Sequence, residues 1–532
     1  MKKKMILLMT IGIIMLVGCS VADTTSEKTE SSTKEITKTL ETESEIETKT
    51  VLNSTEKETT VEEYGIKEPK EQQYTWQELM ITLPEDWIGR CIVIENECGF
   101  SIYQKASYEK DDTLGYICGF FHTQDPMEYD YGKTIIAYTE DGTLYYLVQP
   151  TDVPCDMTDE NIIGEYIRMC QQVQQLKASL QISASGVHNH ADEYMLSTSS
   201  IFMLDQTMLA DMSDNTLWIA KNEIYARHNR QFTNTYLQQY FNQRTWYEGK
   251  IPAEKFQESV LSQIEKDNLQ ILAAAEEEYN RQHPYPKIYQ ASETATEDLN
   301  DDGTVDEISY QVTEQKNGET LCTIIVNGET YIANELSRFE LKKEIINPTV
   351  SNFYITDILE NDGVLEIAVL DERENEDPVT YFFQYNDTLS CIGWVSGFPF
   401  ADINGGLNGF DGYGGITGCL RIDLIETAYL QYRWWYNGSR IIDLDMGWYD
   451  FLPSFGHILY EDLPVYCECD ETSATTVIPA QNEVFFLGTD RKQWILVKGK
   501  DGSQGYMLVE DGNIVELNKP AKEVFSDLQF SY

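Results

Sequence analysis

Apolar and polar residues alternate with a period of two along several short runs between residues 74 and 182. Such alternation, bounded by turn residues, is typical of half-buried β-strands. The predicted strands are 78–83, 91–95, 99–104, 115–122, 133–139 and 143–149. From 158 to 180 the apolar residues recur at helical spacing instead, with Asp156 or Thr158 available as the N-cap. We therefore predict an N-terminal α/β sandwich at 74–182, in which an antiparallel sheet packs against one long helix.

The pattern changes twice more along the chain. Residues 183–193 form a polar linker, and residues 194–282 carry the helical spacing of a small helical domain. From 283 onward, short strands alternate with acidic and glycine-rich turns, which predicts a β-rich domain at 283–456. Five short strands within 457–520 predict a small β-barrel at the end. The expected fold class is multi-domain α+β, with a β-rich C-terminal half.

The N-terminus carries the features of an export signal. Three lysines precede an apolar run from 5 to 17, which is too short for a permanent membrane span. Gly18-Cys19 follows this run and resembles the lipobox of bacterial lipoproteins, which implies cleavage before Cys19 and attachment of membrane lipid to its thiol. The alternatives are an ordinary secretion signal or an uncleaved anchor. We expect a signal peptide at 1–18 and a lipidated, disordered Ser/Thr/Glu-rich tether at 19–73, which places the protein on the extracellular side of the cell membrane.

Charge and cysteine content narrow the function classes. The chain has 89 acidic and 39 basic residues, a net charge of −50, which repels nucleic acid. Nucleic acid is therefore not an expected partner. Ten cysteines follow Cys19 in two odd-numbered clusters, so we expect mostly buried thiols with at most a bridge or two.

Residues 217–232 hold the most specific motif, Leu-Trp-Ile-Ala-Lys-Asn-Glu-Ile-Tyr-Ala-Arg-His-Asn-Arg-Gln-Phe. This stretch resembles the YARHG domain of extracytoplasmic bacterial proteins, with Asn229 in place of the final glycine. Asparagine tolerates the left-handed conformation of a helix C-cap, so the substitution fits the motif.

Three interpretations of this motif remain open. It is a buried scaffold cluster, which we favour, or a catalytic pair in which Glu223 orients His228 as a general base. The third is a ligand groove, whose candidate ligand-binding residues are Arg227, His228, Trp246 and Tyr247.

Two further segments suggest metal sites. Residues 298–307 place oxygen ligands at alternating positions, resembling the short calcium loops of FG-GAP-type β repeats, and this resemblance implies calcium ligands at Asp298, Asn300, Asp302, Thr304 and Asp306. A metal-free turn is the alternative. His188 and His190, with two acidic residues after them, form a weaker candidate for a transition metal. No cofactor other than calcium is expected.

The last sixty residues resemble a bacterial Src-homology-3-like module, a type that holds cell-wall peptides or other surface ligands. Tyr466 and Tyr506 are its candidate contact residues. No phosphate-binding loop, zinc-protease motif or nucleophile elbow is present in the sequence. We therefore expect a non-enzymatic cell-surface lipoprotein that binds peptidoglycan or another surface protein. The alternative is a cell-wall-active hydrolase whose site follows no known motif.

Overall fold

The computed structural model describes residues 65–125, 133–316, 318–373 and 377–530, all within the unit Glu63–Tyr532. The predicted signal peptide, Cys19 and most of the predicted tether lie outside the described residues. Within the described ranges, no helix combines the length and the apolar character that a membrane crossing requires.

The first part of the described chain is a pair of antiparallel sheets covered by helices. Its strands are β1 (Ile66–Lys67), β2 (Gln73–Trp76), β3 (Leu79–Thr82), β4 (Cys91–Asn96), β5 (Gly99–Gln104), β6 (Tyr116–Thr123), β7 (Lys133–Thr139), β8 (Leu144–Val148), β9 (Gln181–Ile182) and β10 (Val187–Asn189). Its helices are α1 (Lys105–Tyr108), α2 (Glu160–Gln171) and α3 (Val173–Ala178). One sheet has the order β1-β4-β5-β6-β8-β7-β10 and the other has the order β2-β3-β9. The segments predicted as tether and linker thus each contribute a strand, β1 and β10.

The predicted single helix at 158–180 is two helices in the structure. Gln172 interrupts it with a nearly zero ψ, and its buried side-chain carbonyl accepts a hydrogen bond from the Trp87 indole at 2.7 Å. The N-cap is Asp159, which accepts from the Asn161 backbone N–H, and not Asp156 or Thr158. Asp156 instead pairs with Lys110, a partner from a distant segment that local sequence does not reveal.

The middle part is helical, as the sequence predicts. It contains α4 (Gln206–Leu209), α5 (Asp214–Arg227), α6 (Thr235–Asn242) and α7 (Gln263–Gln282). Helix α7 begins with a full capping box, because the Ser262 hydroxyl accepts from the Glu265 N–H while the Glu265 carboxylate accepts from the Ser262 N–H. Leu217, Ala220 and Leu272 pack between α5 and α7 in an apolar core.

The C-terminal half is β-rich. Its strands are β11 (Lys287–Gln290), β12 (Thr294–Glu297), β13 (Asp306–Glu314), β14 (Thr320–Val326), β15 (Glu329–Ile332), β16 (Asn352–Thr356), β17 (Glu366–Asp371), β18 (Val379–Asn386), β19 (Thr388–Ser396), β20 (Gly415–Asp423), β21 (Thr427–Tyr436), β22 (Ile441–Asp443), β23 (Tyr449–Asp450), β24 (His457–Ile458), β25 (Leu463–Tyr466), β26 (Thr475–Ile478), β27 (Glu483–Thr489), β28 (Trp494–Gly499), β29 (Gln504–Glu510), β30 (Asn513–Ile514) and β31 (Lys519–Pro520). Its helices are α8 (Ala333–Leu341) and α9 (Ala521–Val524). The sheets have the orders β12-β13-β14-β15, β11-β16-β17-β18-β19, β20-β21-β22 and β23-β27-β28-β29-β25-β26.

The terminal sheet does not form the small closed barrel that the sequence predicts. Among the described strands, β26 and β23 lie at opposite ends of the path and do not pair with each other. Strand β23 precedes the predicted boundary at 456, and Phe525 follows the predicted end at 520, yet both belong to this layer. One apolar core includes Phe382, Tyr432, Phe486 and Phe525, so the terminal strands bury their apolar face against the neighbouring sheet instead of around a barrel axis.

Candidate functional site

The motif at the end of α5 contains a buried ion pair. Arg227 and Glu223 lie one helical turn apart, and their side chains are only 4% and 1% exposed. The Arg227 guanidinium donates to the Ser199 and Ser200 hydroxyls at 2.9 and 3.0 Å and stacks over the Tyr194 ring at 3.9 Å. The Arg227 guanidinium also donates to a backbone carbonyl of the segment 194–200, and the Glu223 carboxylate accepts from a backbone N–H of that segment. The pair therefore fastens the segment 194–200 to the helix.

His228 reaches the other long helix of this domain. Its Nε2 lies 2.9 and 3.0 Å from the two carboxylate oxygens of Glu265 at the start of α7. Glu265 also accepts a hydrogen bond from the Ser200 hydroxyl at 2.8 Å. Burial opposes ionisation of Glu265, but the hydrogen bonds from His228, the Ser262 N–H and Ser200 prevail and lower its pKa to about 2. The ionised Glu265 carboxylate thus links α5 and α7 to the segment 194–200.

Asn229 follows the helix in the left-handed conformation, with φ of 60°, as the sequence analysis predicts. Its side-chain carbonyl accepts from the Glu248 N–H at 3.1 Å, and its backbone carbonyl accepts from the Ile251 N–H at 2.9 Å. Tyr247 is 1% exposed and donates to the Arg230 carbonyl at 2.8 Å. Trp246 packs edge-on against Tyr194 at 4.9 Å. The aromatic residues thus hold the loop after α6 against the motif.

This geometry favours the scaffold interpretation of the motif over the other two. The catalytic interpretation requires Glu223 to orient His228, but the Glu223 carboxylate pairs with Arg227, and His228 contacts Glu265 instead. Here Glu265 lies between Ser200 and His228, and both donate to the same carboxylate. Arg227 and Tyr247 are buried and engaged by protein groups, so they do not face a ligand groove.

A groove of about 790 Å³ lies elsewhere in the same helical domain. It runs between α4, the start of α5 and the last turns of α7. Its floor is apolar, with Leu209, Leu217 and Ile271 among the lining residues, and Asp205 and Glu278 add carboxylates. A concave, mostly apolar site of this volume is typical of ligand pockets. Of the motif residues, only Leu217 lines the groove, because the groove depends on how α4, α5 and α7, which are separate in the sequence, pack together.

The predicted calcium loop is a tight turn that uses its own carboxylates. Asp298 accepts from the Asp302 and Gly303 N–H groups at 3.2 and 2.9 Å, and Asp302 accepts from the Thr304 N–H at 2.7 Å. Asp306 is buried and accepts from the Leu299 N–H at 3.0 Å and from a neighbouring asparagine amide.

The remaining oxygens of this loop neither establish nor exclude a calcium site. The Asn300 side-chain oxygen is buried without a hydrogen-bond partner, but in the described parts of the chain no three His, Cys, Asp or Glu side chains converge as metal ligands would. The hydrogen-bonded turn is compatible with both interpretations that the sequence analysis kept open. Calcium binding stays a prediction for titration.

The two tyrosines predicted as contact residues come together on the terminal sheet. Tyr466 on β25 and Tyr506 on β29 are directly opposite in register. Trp494 packs edge-on against Tyr466 at 5.4 Å, and Trp448 lies against Tyr506 at 5.5 Å. Both tyrosines are half-buried. They therefore present a small aromatic surface, with Trp448 as a member that the sequence analysis missed.

The linker histidines do not share a metal site. His188 stacks on the Tyr138 ring at 4.8 Å, whereas His190 adopts the left-handed backbone conformation. The two acidic residues that follow are already paired, Asp192 with Lys177 and Glu193 with Lys498, both at 2.6 Å. The linker is thus fastened to both the N-terminal part and the terminal sheet.

Lys498 is a structural residue that the sequence analysis did not single out. Its side chain and that of Glu193 are each 10% exposed. Glu193 also accepts from the Thr245 N–H and hydroxyl, both at 2.9 Å. A lysine inside the apolar run of β28 was the available signal, because a charge at a buried strand position requires a partner.

The comparisons agree with the motif and with the helices around it. No curated protein and no solved structure matches the chain. Among protein families, the YARHG domain matches residues 193–277, which include α4, α5, α6 and most of α7. The ten described cysteines are unpaired, and none of them lies within residues 193–277. Residues 193–277 of this chain are a YARHG domain.

Proposed function

We propose that this protein is a non-enzymatic, lipid-anchored protein of the outer face of the cell membrane that binds a peptide-bearing envelope component. Peptidoglycan, through its stem peptides, and another surface protein both meet this description. The YARHG domain suggests an extracellular or surface module. The observation that carries the binding function is the open groove of about 790 Å³ beside a motif whose own residues are used internally.

The lining of the groove supports a peptide ligand. Leucine, isoleucine and alanine side chains form its floor, and they suit the apolar side chains of a peptide better than the hydroxyls of a sugar. Asp205 and Glu278 can accept hydrogen bonds from peptide N–H groups or pair with a basic side chain. Met212 in the lining and the exposed Met208 on α4 add side chains that adapt to different shapes.

The aromatic surface at Tyr466 and Tyr506 supports a second contact with the same component. Half-buried tyrosines supply a rigid apolar face and a hydroxyl, and such residues are enriched in binding interfaces. This surface is compatible with stacking on a sugar ring, so glycan and peptide of one polymer can be held together.

A sedimentation experiment tests the proposal. The chain lacking residues 1–19, which keeps the whole unit Glu63–Tyr532, is incubated with purified sacculi and then with sacculi stripped of their peptides by an amidase. Co-sedimentation that depends on the peptides, with no fragments released, is the expected result. Leu209→Asp, which places a charge on the groove floor, should abolish it, whereas Phe339→Asp at an exposed position of α8 should not.

Release of soluble fragments from the sacculi would instead establish the hydrolase alternative. If the protein does not co-sediment with sacculi, another surface protein remains as the proposed ligand. Crosslinking on intact cells tests this ligand, because a photoreactive residue in place of Leu209 should then give specific adducts. If the protein neither co-sediments with sacculi nor gives adducts on cells, the proposal is refuted.

A further inference from the structure

A second cavity, of about 390 Å³, lies where the N-terminal sheet, the YARHG domain and the terminal sheet meet. Polar and charged side chains dominate its lining, in contrast to the apolar groove. The lining includes Gln174, Lys177, Asn189, His190, Asp192, Glu193, Arg244, Lys498, Asp501 and Gln504.

Most charges in this cavity are already balanced. Lys177 pairs with Asp192, and Lys498 pairs with Glu193. Asp501 accepts hydrogen bonds from the backbone and the side chain of a serine two residues on. Each of these carboxylates thus has donors, so the two lysines are not available as the main partners of an added anion.

Arg244 is the exception. Its guanidinium stacks over the Tyr240 ring at 4.1 Å and interacts with the Tyr240 hydroxyl, and it makes no ion pair with a carboxylate of the described chain. Its Nε is buried and has no hydrogen-bond partner. Among the lysine and arginine side chains that line this cavity, Arg244 is the one without a carboxylate partner in the described chain. A buried N–H without an acceptor is unfavourable, so a ligand that brings an acceptor to this guanidinium gains free energy.

We propose that this cavity binds the free carboxylate of a short peptide, with Arg244 as its main partner. The planar guanidinium matches a carboxylate with two parallel hydrogen bonds, and the Tyr240 ring holds it in one plane. The neighbouring amides of Gln174, Asn189 and Gln504 supply donors and acceptors for the peptide groups that follow the carboxylate. A volume of about 390 Å³ accommodates a dipeptide-sized end but not a folded chain.

This inference rests on the proposed function and names the chemistry of the ligand. The free carboxylate comes either from a stem peptide of peptidoglycan, which ends in a D-amino acid, or from the C-terminus of a protein. These two sources present the same group with opposite stereochemistry, so one set of probes distinguishes them.

Calorimetry with three probes tests the inference: N-acetyl-D-Ala-D-Ala, N-acetyl-L-Ala-L-Ala, and N-acetyl-D-Ala-D-Ala amide. We expect one or both acids to bind and the amide to bind at least tenfold more weakly, because the amide lacks the charge that Arg244 recognises. Preference for the D,D acid identifies the stem peptide, and preference for the L,L acid identifies a protein C-terminus. Equal binding of acid and amide, or no binding of any probe, overturns the inference.

Variants locate the site. Arg244→Met keeps the length and the contact with Tyr240 but removes the charge, and should weaken binding of the acid by roughly tenfold to a hundredfold. Arg244→Lys keeps the charge without the planar pair of donors and should lose part of the affinity. Arg338→Met changes the net charge equally at an exposed position outside the cavity and should bind like the wild type. Wild-type affinity in both Arg244 variants would refute the site.

The outcomes of the two experiments are separable. Co-sedimentation with sacculi without binding of any small acid leaves the proposed function standing and removes only the inference. Binding of the acids without co-sedimentation or adducts would refute the envelope ligand and leave a peptide-carboxylate site of another purpose.

Discussion

The buried ion pair between Arg227 and Glu223 makes a quantitative prediction about the YARHG domain. Arg227→Met removes the guanidinium but keeps an unbranched side chain of similar length. Glu223 is then left 1% exposed, and the Met195 N–H at 2.8 Å is its remaining hydrogen-bond donor among the described residues. An unpaired buried charge costs about 3–5 kcal/mol, so the variant should lose stability of that order around the motif.

The loss should be local before it is global, because the same guanidinium fastens the segment 194–200 through three further hydrogen bonds. Hydrogen exchange measures this directly. Amide protons of that segment should exchange faster by the factor that corresponds to the lost free energy, with a lower thermal midpoint of the whole protein. The exposed helical pair of Arg281 and Glu278 is the matched control, and Arg281→Met should change neither measurement.

The double variant Glu223→Gln with Arg227→Met separates the burial of charge from the loss of contacts. It removes the unpaired carboxylate, so it should recover part of the stability that Arg227→Met loses. Two results would contradict the argument that this pair fastens the domain. One is that the amide protons of Arg227→Met exchange at the same rate as those of Arg281→Met. The other is that the double variant is less stable than Arg227→Met, so that the losses from the two substitutions simply add.

Three further predictions concern other parts of the chain. Cys19→Ala should abolish incorporation of radiolabelled fatty acid and release the protein from the membrane fraction; persistent labelling would contradict the lipoprotein assignment. Calcium should raise the melting temperature if the acidic loop binds it, and Asp302→Ala should remove the rise; an equal rise in both proteins would place the ion elsewhere, and no rise in either would exclude the loop. Burial raises the pKa of Glu366 to about 8, so the folded state favours the protonated carboxyl. Its stabilising contribution is complete below the pKa of the unfolded chain and is lost as pH rises through about 8, so the melting temperature should fall over that range in wild type and be flatter in Glu366→Gln.

The local elements of this protein follow closely from its sequence. Strands β5 and β7 span the predicted residues, because successive side chains of a strand point to opposite faces and this alternation is visible in the residue order. The motif helix likewise ends where the sequence indicates, with Asn229 in the left-handed conformation. These features depend on a few neighbouring residues, so spacing alone was sufficient to predict them.

The sites, in contrast, are built from contacts between residues that are far apart in the sequence. Ser200 meets Glu265 across 65 residues, and Lys498 meets Glu193 across 305. Periodicity states that one face of an element is buried, but it does not state which distant group covers that face. The sequence analysis therefore named Arg227, Trp246 and Tyr247 as candidate ligand contacts, although packing encloses all or most of each side chain.

By itself, the sequence determined the motif, the acidic composition, the export signal as an expectation, and most of the strands and helices. Only the tertiary structure decided that the terminal strands form an open sheet on a shared core, that the motif acts as an internal fastener, and that Arg244 faces a polar cavity without an ion-pair partner in the described chain. The physical reason is the same in each case. In each case, buried groups have hydrogen-bond and packing partners that come from separate segments of the chain. Packing of the whole unit, rather than local residue order, determines which segments meet.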